Sequence, residues 1–282
     1  MFNNNYLHKH SKQHFYPDLK QSWILVLIFL SALFASSVFA SILITLGINT
    51  DVAELIAYMI IVGTLVFTAF FYKKTINDKP FIYYKNKVSV WIYILVIPAI
   101  IGLGGFVEIT GAMILPEMPD FFKKSLENAM DSNLPTIFTA VVAAPVLEEI
   151  VCRGIICEGL IKNISPRAGI LWSALIFAVI HLNPWQGLSA FVIGCFLGWI
   201  YWKTRSIIPC IFIHFVNNAL ALFLYYYYCE KSGYDLNTPV SEIYGISETV
   251  MIIIYVSMFL ASFVLLVKIL KPKHKDIITI TP

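Results

Sequence analysis

The chain has 282 residues, of which 59% are hydrophobic and 13% charged, with a net charge of +3 and five cysteines. Soluble domains carry about 45–50% apolar and about 25% charged residues, so a water-soluble globular fold is excluded. The small positive charge requires no nucleic-acid partner. Cys152, Cys157, Cys195, Cys210 and Cys229 form no CxxC pair; they mark neither a disulfide framework nor a zinc knuckle and read as small packing residues.

In chain order, residues 1–21 form a polar leader with His8, His10 and His14 at irregular spacing, expected to be a solvated tail. Eight apolar segments follow, at 22–47, 52–72, 88–115, 134–161, 167–183, 187–203, 206–229 and 246–270. Most reach the ~20 residues that a helix needs to cross ~30 Å of hydrocarbon, and the fifth and sixth are near the lower limit of ~17. The expected fold is therefore all-α, a polytopic membrane bundle of about eight transmembrane helices. Its blocks are the tail 1–21, helices and an outer loop over 22–133, a polar-motif core over 134–229, and a last helix with a basic tail over 246–282. The first apolar run continues past Ala40 to Ile48, longer than the ~7–15 residues of a signal-peptide core, so it reads as an uncleaved span.

Charge placement supports the count. With both termini in the cytoplasm, 16 of the 20 Lys and Arg residues fall on the inner side and only Lys123, Lys124 and Lys231 on the outer, Arg153 lying within a span. That asymmetry satisfies the positive-inside rule. Segment 116–133 carries Phe121, Phe122, Leu126 and Met130 among charged residues and reads either as a short amphipathic helix or as an ordered loop. Trp91, Trp172, Trp185, Trp199, Trp202 and Tyr225–Tyr228 lie near span ends, as interfacial anchors do. Pro98 and Gly102, Gly104 and Gly105 interrupt the third span, and Glu108 near its outer end reads as a structural or snorkelling carboxylate.

Glu148, Glu149 and Arg153 stand inside the apolar run from about Pro135 to Ile161. Each ionisable side chain at membrane depth costs ~2.5–3.5 kcal/mol, which marks the run as a functional site with partners elsewhere. Successive helical residues lie ~100° apart, so the two glutamates point different ways. Glu149 and Arg153 are i,i+4, in the favourable order for an ion pair. His181, His214 and Asn218 are polar residues on later spans. Counted from the inner span ends, Glu148 and His181 lie ~21 Å deep, Asn218 ~18 Å and His214 ~12 Å. They share one layer of the membrane.

Two schemes fit these residue types. In one, Glu148 takes a proton from water, His181 holds that water or protonates the leaving amine, and His214 with Asn218 donates to an oxyanion. In the other, Glu148, His181 and His214 hold a zinc-like divalent ion with an open position for water. There is no H-E-x-x-H, and Gly187-Leu188-Ser189-Ala190 lacks the closing glycine of a serine-hydrolase signal.

Glu148-Glu149-x-x-x-Arg153, Phe177-x-x-x-His181 and His214-x-x-x-Asn218 resemble the three motifs of the CPBP family. That family comprises type II CAAX prenyl endopeptidases with bacteriocin-processing and immunity relatives, also called Abi proteins. The resemblance covers roughly residues 134–229. It implies an eight-span intramembrane protease in which Glu148 and His181 activate water and His214 and Asn218 serve the oxyanion side. Glu149, Arg153 and Phe177 then support the site. The family is often labelled metalloprotease, while a metal-free glutamate mechanism is also argued for its prenyl branch; the expectation here is no resident cofactor, with zinc as the alternative. Implied partners are the lipid bilayer and a peptide or protein substrate, and the expected location is a bacterial plasma membrane. The rival readings are an ion-coupled transporter, against which stands the lack of paired halves, and a non-catalytic immunity or scaffold protein.

Overall fold

Helix starts follow side-chain chemistry. The computed structural model describes residues 15–76, 88–130 and 133–270. The Asp18 carboxylate accepts from the Gln21 N–H while the Gln21 side chain accepts from the Asp18 N–H. This reciprocal cap opens α1 (Leu19–Thr45), three residues ahead of the expected boundary. Asn49 caps α2 (Thr50–Ile76), and α3 (Val90–Ile114) follows. The segment read as amphipathic helix or loop folds as the helix α4 (Asp120–Ala129), with Phe121 exposed.

From residue 134 to 163 the chain is one continuous helix, α5, capped by Asn133 and widened to π geometry over Thr139–Ala143 and Ile150–Cys157. Ser165-Pro166 and Asn183-Pro184 then start α6 (Pro166–Val179) and α7 (Pro184–Thr204), each with a side-chain cap and a proline in the first turn, as the two residue types prefer. The chain ends with α8 (Ile208–Tyr225), which runs on through a π turn at Tyr226–Lys231, then α9 (Val240–Tyr244) and α10 (Glu248–Ile269). The described residues contain no strand.

Five of these helices are long and apolar enough to cross a membrane: Leu19–Thr45, Thr50–Ala69, Val90–Ile114, Ile208–Lys231 and Glu248–Ile269. Their outward faces carry large apolar side chains such as Phe34 (73% exposed) and Phe67 (64%), a surface that suits lipid and not water. The expected span 167–183 is helical only to Val179, a rise of ~21 Å against the ~30 Å of hydrocarbon. The cause is local. Asn183 precedes a proline and is extended (φ −135°, ψ 114°), as that position demands, and Leu182 turns through φ 52°. His181 therefore lies in the turn beyond α6.

The helices pack as α1 with α2, α6 with α7, and α3 with α10; α2 leans on α5, and α8 touches α3, α5 and α7. Two apolar clusters result. One gathers Phe29, Val62, Ile155, Ile176 and Phe177 from α1, α2, α5 and α6. The other gathers Ile100, Leu197, Ile200, Ile213 and Leu266 from α3, α7, α8 and α10. Close approach of α3 to α10 depends on Gly102, where a Cβ would stand 2.6 Å from the Tyr255 carbonyl oxygen and 2.8 Å from the Phe259 nitrogen. Both obstacles are backbone. Gly102→Val is expected to cost about 1–3 kcal/mol through forced separation of the two helices, read as a lower melting temperature in detergent; an unchanged melt would show that the pair tolerates a wider spacing.

Ends of the bundle are tied by polar contacts. At one end Glu158 receives Lys162 (2.7 Å), Arg205 (3.0 Å) and the Tyr201 hydroxyl (3.0 Å), joining α5 to the end of α7. There the entering chain is also held, since Asn163 donates to the Pro17 carbonyl and accepts from the Phe15 N–H. At the other end Lys123 of α4 pairs with Asp235, and the Trp185 indole donates to the Pro116 carbonyl. The Lys123 ammonium holds the Asp235 carboxyl below the usual carboxylate range, so acidification through that range loosens this tie. His8, His10 and His14 and the basic residues after 270 lie outside the described residues.

Candidate active site

The polar motif sits on α5 at the seam between the two apolar clusters. Glu149 and Arg153 are both fully buried and joined by an Nη1–Oε1 contact of 2.8 Å, the i,i+4 pair that their spacing predicts. Arg153 is held at three points. Its Nη2 donates to the Gly194 carbonyl of α7 (3.1 Å), and the guanidinium lies over the Phe177 ring at 4.5 Å. Gly194 permits this approach, because a Cβ there would sit 3.2 Å from Nη2. Glu148, one residue away, points elsewhere: its side chain retains 17% exposure against 0% for Glu149.

His214 joins the two carboxylates. Its Nδ1 lies 3.0 Å from Glu149 Oε1, and its Nε2 lies 3.9 Å from Glu148 Oε2. A carboxylate only accepts, so the short contact fixes the proton on Nδ1 and leaves Nε2 facing Glu148. Sequence spacing gave Glu149 a partner in Arg153 alone. Its second partner, 65 residues on, has no local signal.

Phe177 is the spacer of the site. Its ring meets His181 edge-on at 5.0 Å and His214 edge-on at 5.5 Å, so both imidazoles and Arg153 surround one phenyl group. The Phe177 carbonyl also receives His181 Nδ1 at 2.8 Å. That anchor again places the proton on Nδ1, leaving Nε2 as an acceptor in the neutral ring. Among the described residues no nitrogen–oxygen contact within 4.0 Å joins His181 to a carboxylate; the structure brings His181 to the site through Phe177 and not through Glu148.

Asn218 is fixed by the unusual geometry of α5. In the π turn the Ala144 N–H bonds to the Thr139 carbonyl, five residues back. The matching donor for the Ala140 carbonyl would be residue 145, which is Pro145 and has no N–H. Asn218 Nδ2 supplies the missing bond at 2.9 Å, and its Oδ1 accepts from Asn217. One amide hydrogen of Asn218 is then left over. Beside this contact an apolar groove of about 290 Å³ runs between α5 and α8, lined by Ile137, Val141, Ala219, Leu222, Phe223 and Tyr226.

For a divalent metal the donors do not fit. Among the described residues no three His, Cys, Asp or Glu side chains converge as a metal would require. Of the proposed set, both histidines are held through Nδ1, by Glu149 and by the Phe177 carbonyl, which leaves their Nε2 atoms free, but among the described residues no contact within 4.0 Å joins His181 to Glu148.

Comparison with known proteins adds the decisive observation. Residues 130–220 match the family model of type II CAAX prenyl endopeptidase Rce1-like proteins. No curated protein and no solved structure matches. The Rce1-like segment takes in α5, α6, α7 and α8 as far as Ala219-Leu220, and so contains Glu148, Glu149, Arg153, Phe177, His181, His214 and Asn218. An Rce1-like family is a family of proteases. Together with the five membrane-length helices, the match points to an integral membrane protein that carries a segment similar to that protease family.

Proposed function

We propose that the chain is an intramembrane endopeptidase that hydrolyses a peptide bond in a membrane-associated peptide or protein. In this reading the bundle crosses the bilayer eight times with both termini cytoplasmic, and 134–229 is the catalytic core. The observation that carries it is the pair Glu148–His214: an incompletely buried carboxylate faces an imidazole nitrogen at 3.9 Å, while a second carboxylate fixes the other ring nitrogen. Glu148 takes a proton from the attacking water, and the Nε2 acceptor of His181 orients that water from the far side of Phe177. His214, its Nδ1 on Glu149, presents Nε2–H⁺ when charged, and Asn218 offers its spare amide hydrogen; both stabilise the oxyanion. The proton held on Glu148 then goes to the leaving amine. The apolar groove beside Asn218 suits the apolar flank of a substrate entering from the lipid.

Purified protein in proteoliposomes, given a library of membrane-anchored peptides in H₂¹⁸O, is expected to cleave and to place one ¹⁸O in each new carboxyl group. Because the donors do not converge, a chelator is expected to leave the rate unchanged. Absence of any cleavage across CAAX-type and other lipid-anchored peptides would overturn the reading, and loss of activity on chelation with recovery on zinc would overturn its metal-free form.

A further inference from the structure

α2 brings an unexpected group to this site. Tyr58 lies outside the Rce1-like segment and belongs to no motif, yet it packs against the cluster that includes Val151, Phe177 and Ile180, as do Leu147 and Ile150. Its hydroxyl is fully buried and has no hydrogen-bond partner. A buried O–H without an acceptor is unfavourable and rare in folded proteins, and such a group calls for an explanation. The charged group whose field reaches it is Glu148.

Glu148 has the complementary deficit. Its carboxylate accepts no hydrogen bond among the described residues, and His214 Nε2 stays at 3.9 Å. An unused donor on α2 and an unused acceptor on α5 thus belong to two helices that pack together, and Leu147 and Ile150, which bracket Glu148 and Glu149 on α5, pack against the same apolar cluster as Tyr58. The Glu148 side chain keeps some freedom at 17% exposure.

We infer that the Tyr58 hydroxyl donates to the Glu148 carboxylate during turnover and holds it as the general base. Tyr58 is then a positioning residue that acts through Glu148, and the inference rests on the catalytic reading of Glu148 given above. The titratable groups around Glu148 are His214 from α8, Tyr58 from α2 and Cys152 from its own helix, while the Glu149–Arg153 pair lies on another face of that helix. Tyr58 is the neutral donor in this set. Its bond favours the charged carboxylate, so its loss must raise the pH at which Glu148 becomes a working base.

The test is Tyr58→Phe, which keeps the ring and removes only the hydroxyl. Turnover near neutral pH is expected to fall about tenfold, with the acid limb of the rate profile moved up by about one to two units. A second readout needs no cleavage. Dicyclohexylcarbodiimide labels protonated carboxyls in apolar surroundings, and mass spectrometry of Glu148 labelling against pH reports the titration of that carboxyl in wild type and variant alike. The labelling midpoint is expected to move up in Tyr58→Phe. A wild type that cleaves while the variant keeps both its acid limb and its labelling midpoint overturns the role of Tyr58 and leaves the protease reading standing. A wild type that cleaves nothing overturns the protease reading, and an unshifted labelling midpoint in that case overturns the Tyr58–Glu148 bond as well.

Discussion

Glu148→Gln is expected to lower turnover by about 10²–10⁴-fold, the range attributed to a positioned general base. Gln keeps the length and shape of the side chain and can still accept a hydrogen bond, but it takes up no proton from water. The fold should not notice. Glu148 accepts no hydrogen bond among the described residues and keeps 17% exposure, so the change strands no buried partner, and substitutions of that kind stay within about 0.5 kcal/mol. Glu149→Gln would be a different experiment, because Glu149 is fully buried and serves both Arg153 and His214. Single-turnover cleavage beside a thermal melt in detergent separates chemistry from stability. A Glu148→Gln protein that melts like wild type and cleaves at the wild-type rate would remove this carboxylate from the mechanism.

How far the sequence reads can be seen in the pairs it contains. Glu149 and Arg153 are one helical turn apart, so periodicity alone places them together, and the structure has them at 2.8 Å. The contact between His214 and Glu148 was harder to place. Counting from the inner span ends put them at depths ~9 Å apart, whereas their side chains approach to 3.9 Å. That arithmetic assumes straight α-helices starting from one plane, and α5 contains two π segments, which rise less per residue. His181 misled in a related way. The count of ~21 Å treats 167–183 as helix throughout, but Asn183-Pro184 ends the helix at Val179, and the spacing from Phe177 survives as a backbone anchor at 2.8 Å. The Asn218–Ala140 bond arises because Pro145 has no N–H to give within a π turn. A proline can be read from sequence, but the π register that makes it matter cannot. Tyr58 carried no signal at all, since an isolated tyrosine in an apolar span reads as packing.

Arg153→Met is expected to destabilise the protein by about 3–5 kcal/mol, the cost of removing one partner from a buried ion pair. Met matches the length of the stem, so lost packing is a small part of the effect. What remains is the Glu149 carboxylate at 0% exposure, with Oε2 already without a hydrogen bond and only His214 on Oε1. The free Gly194 carbonyl adds to the loss. Arg153→Lys should recover only part of it. One ammonium cannot reach Glu149 through one nitrogen and Gly194 through another while lying flat on the Phe177 ring, as the planar guanidinium does. The double variant Glu149→Gln with Arg153→Met removes both charges together and is expected to be more stable than Arg153→Met alone, because no buried charge is left uncompensated. It should still be inactive, since His214 then loses the carboxylate that holds its Nδ1. Melting temperatures of the four proteins in detergent close the cycle. Additive losses would mean that Glu149 and Arg153 do not stabilise each other; a coupled cycle with a stable but inactive double variant would show that the pair exists for His214 as much as for the helix that bears it.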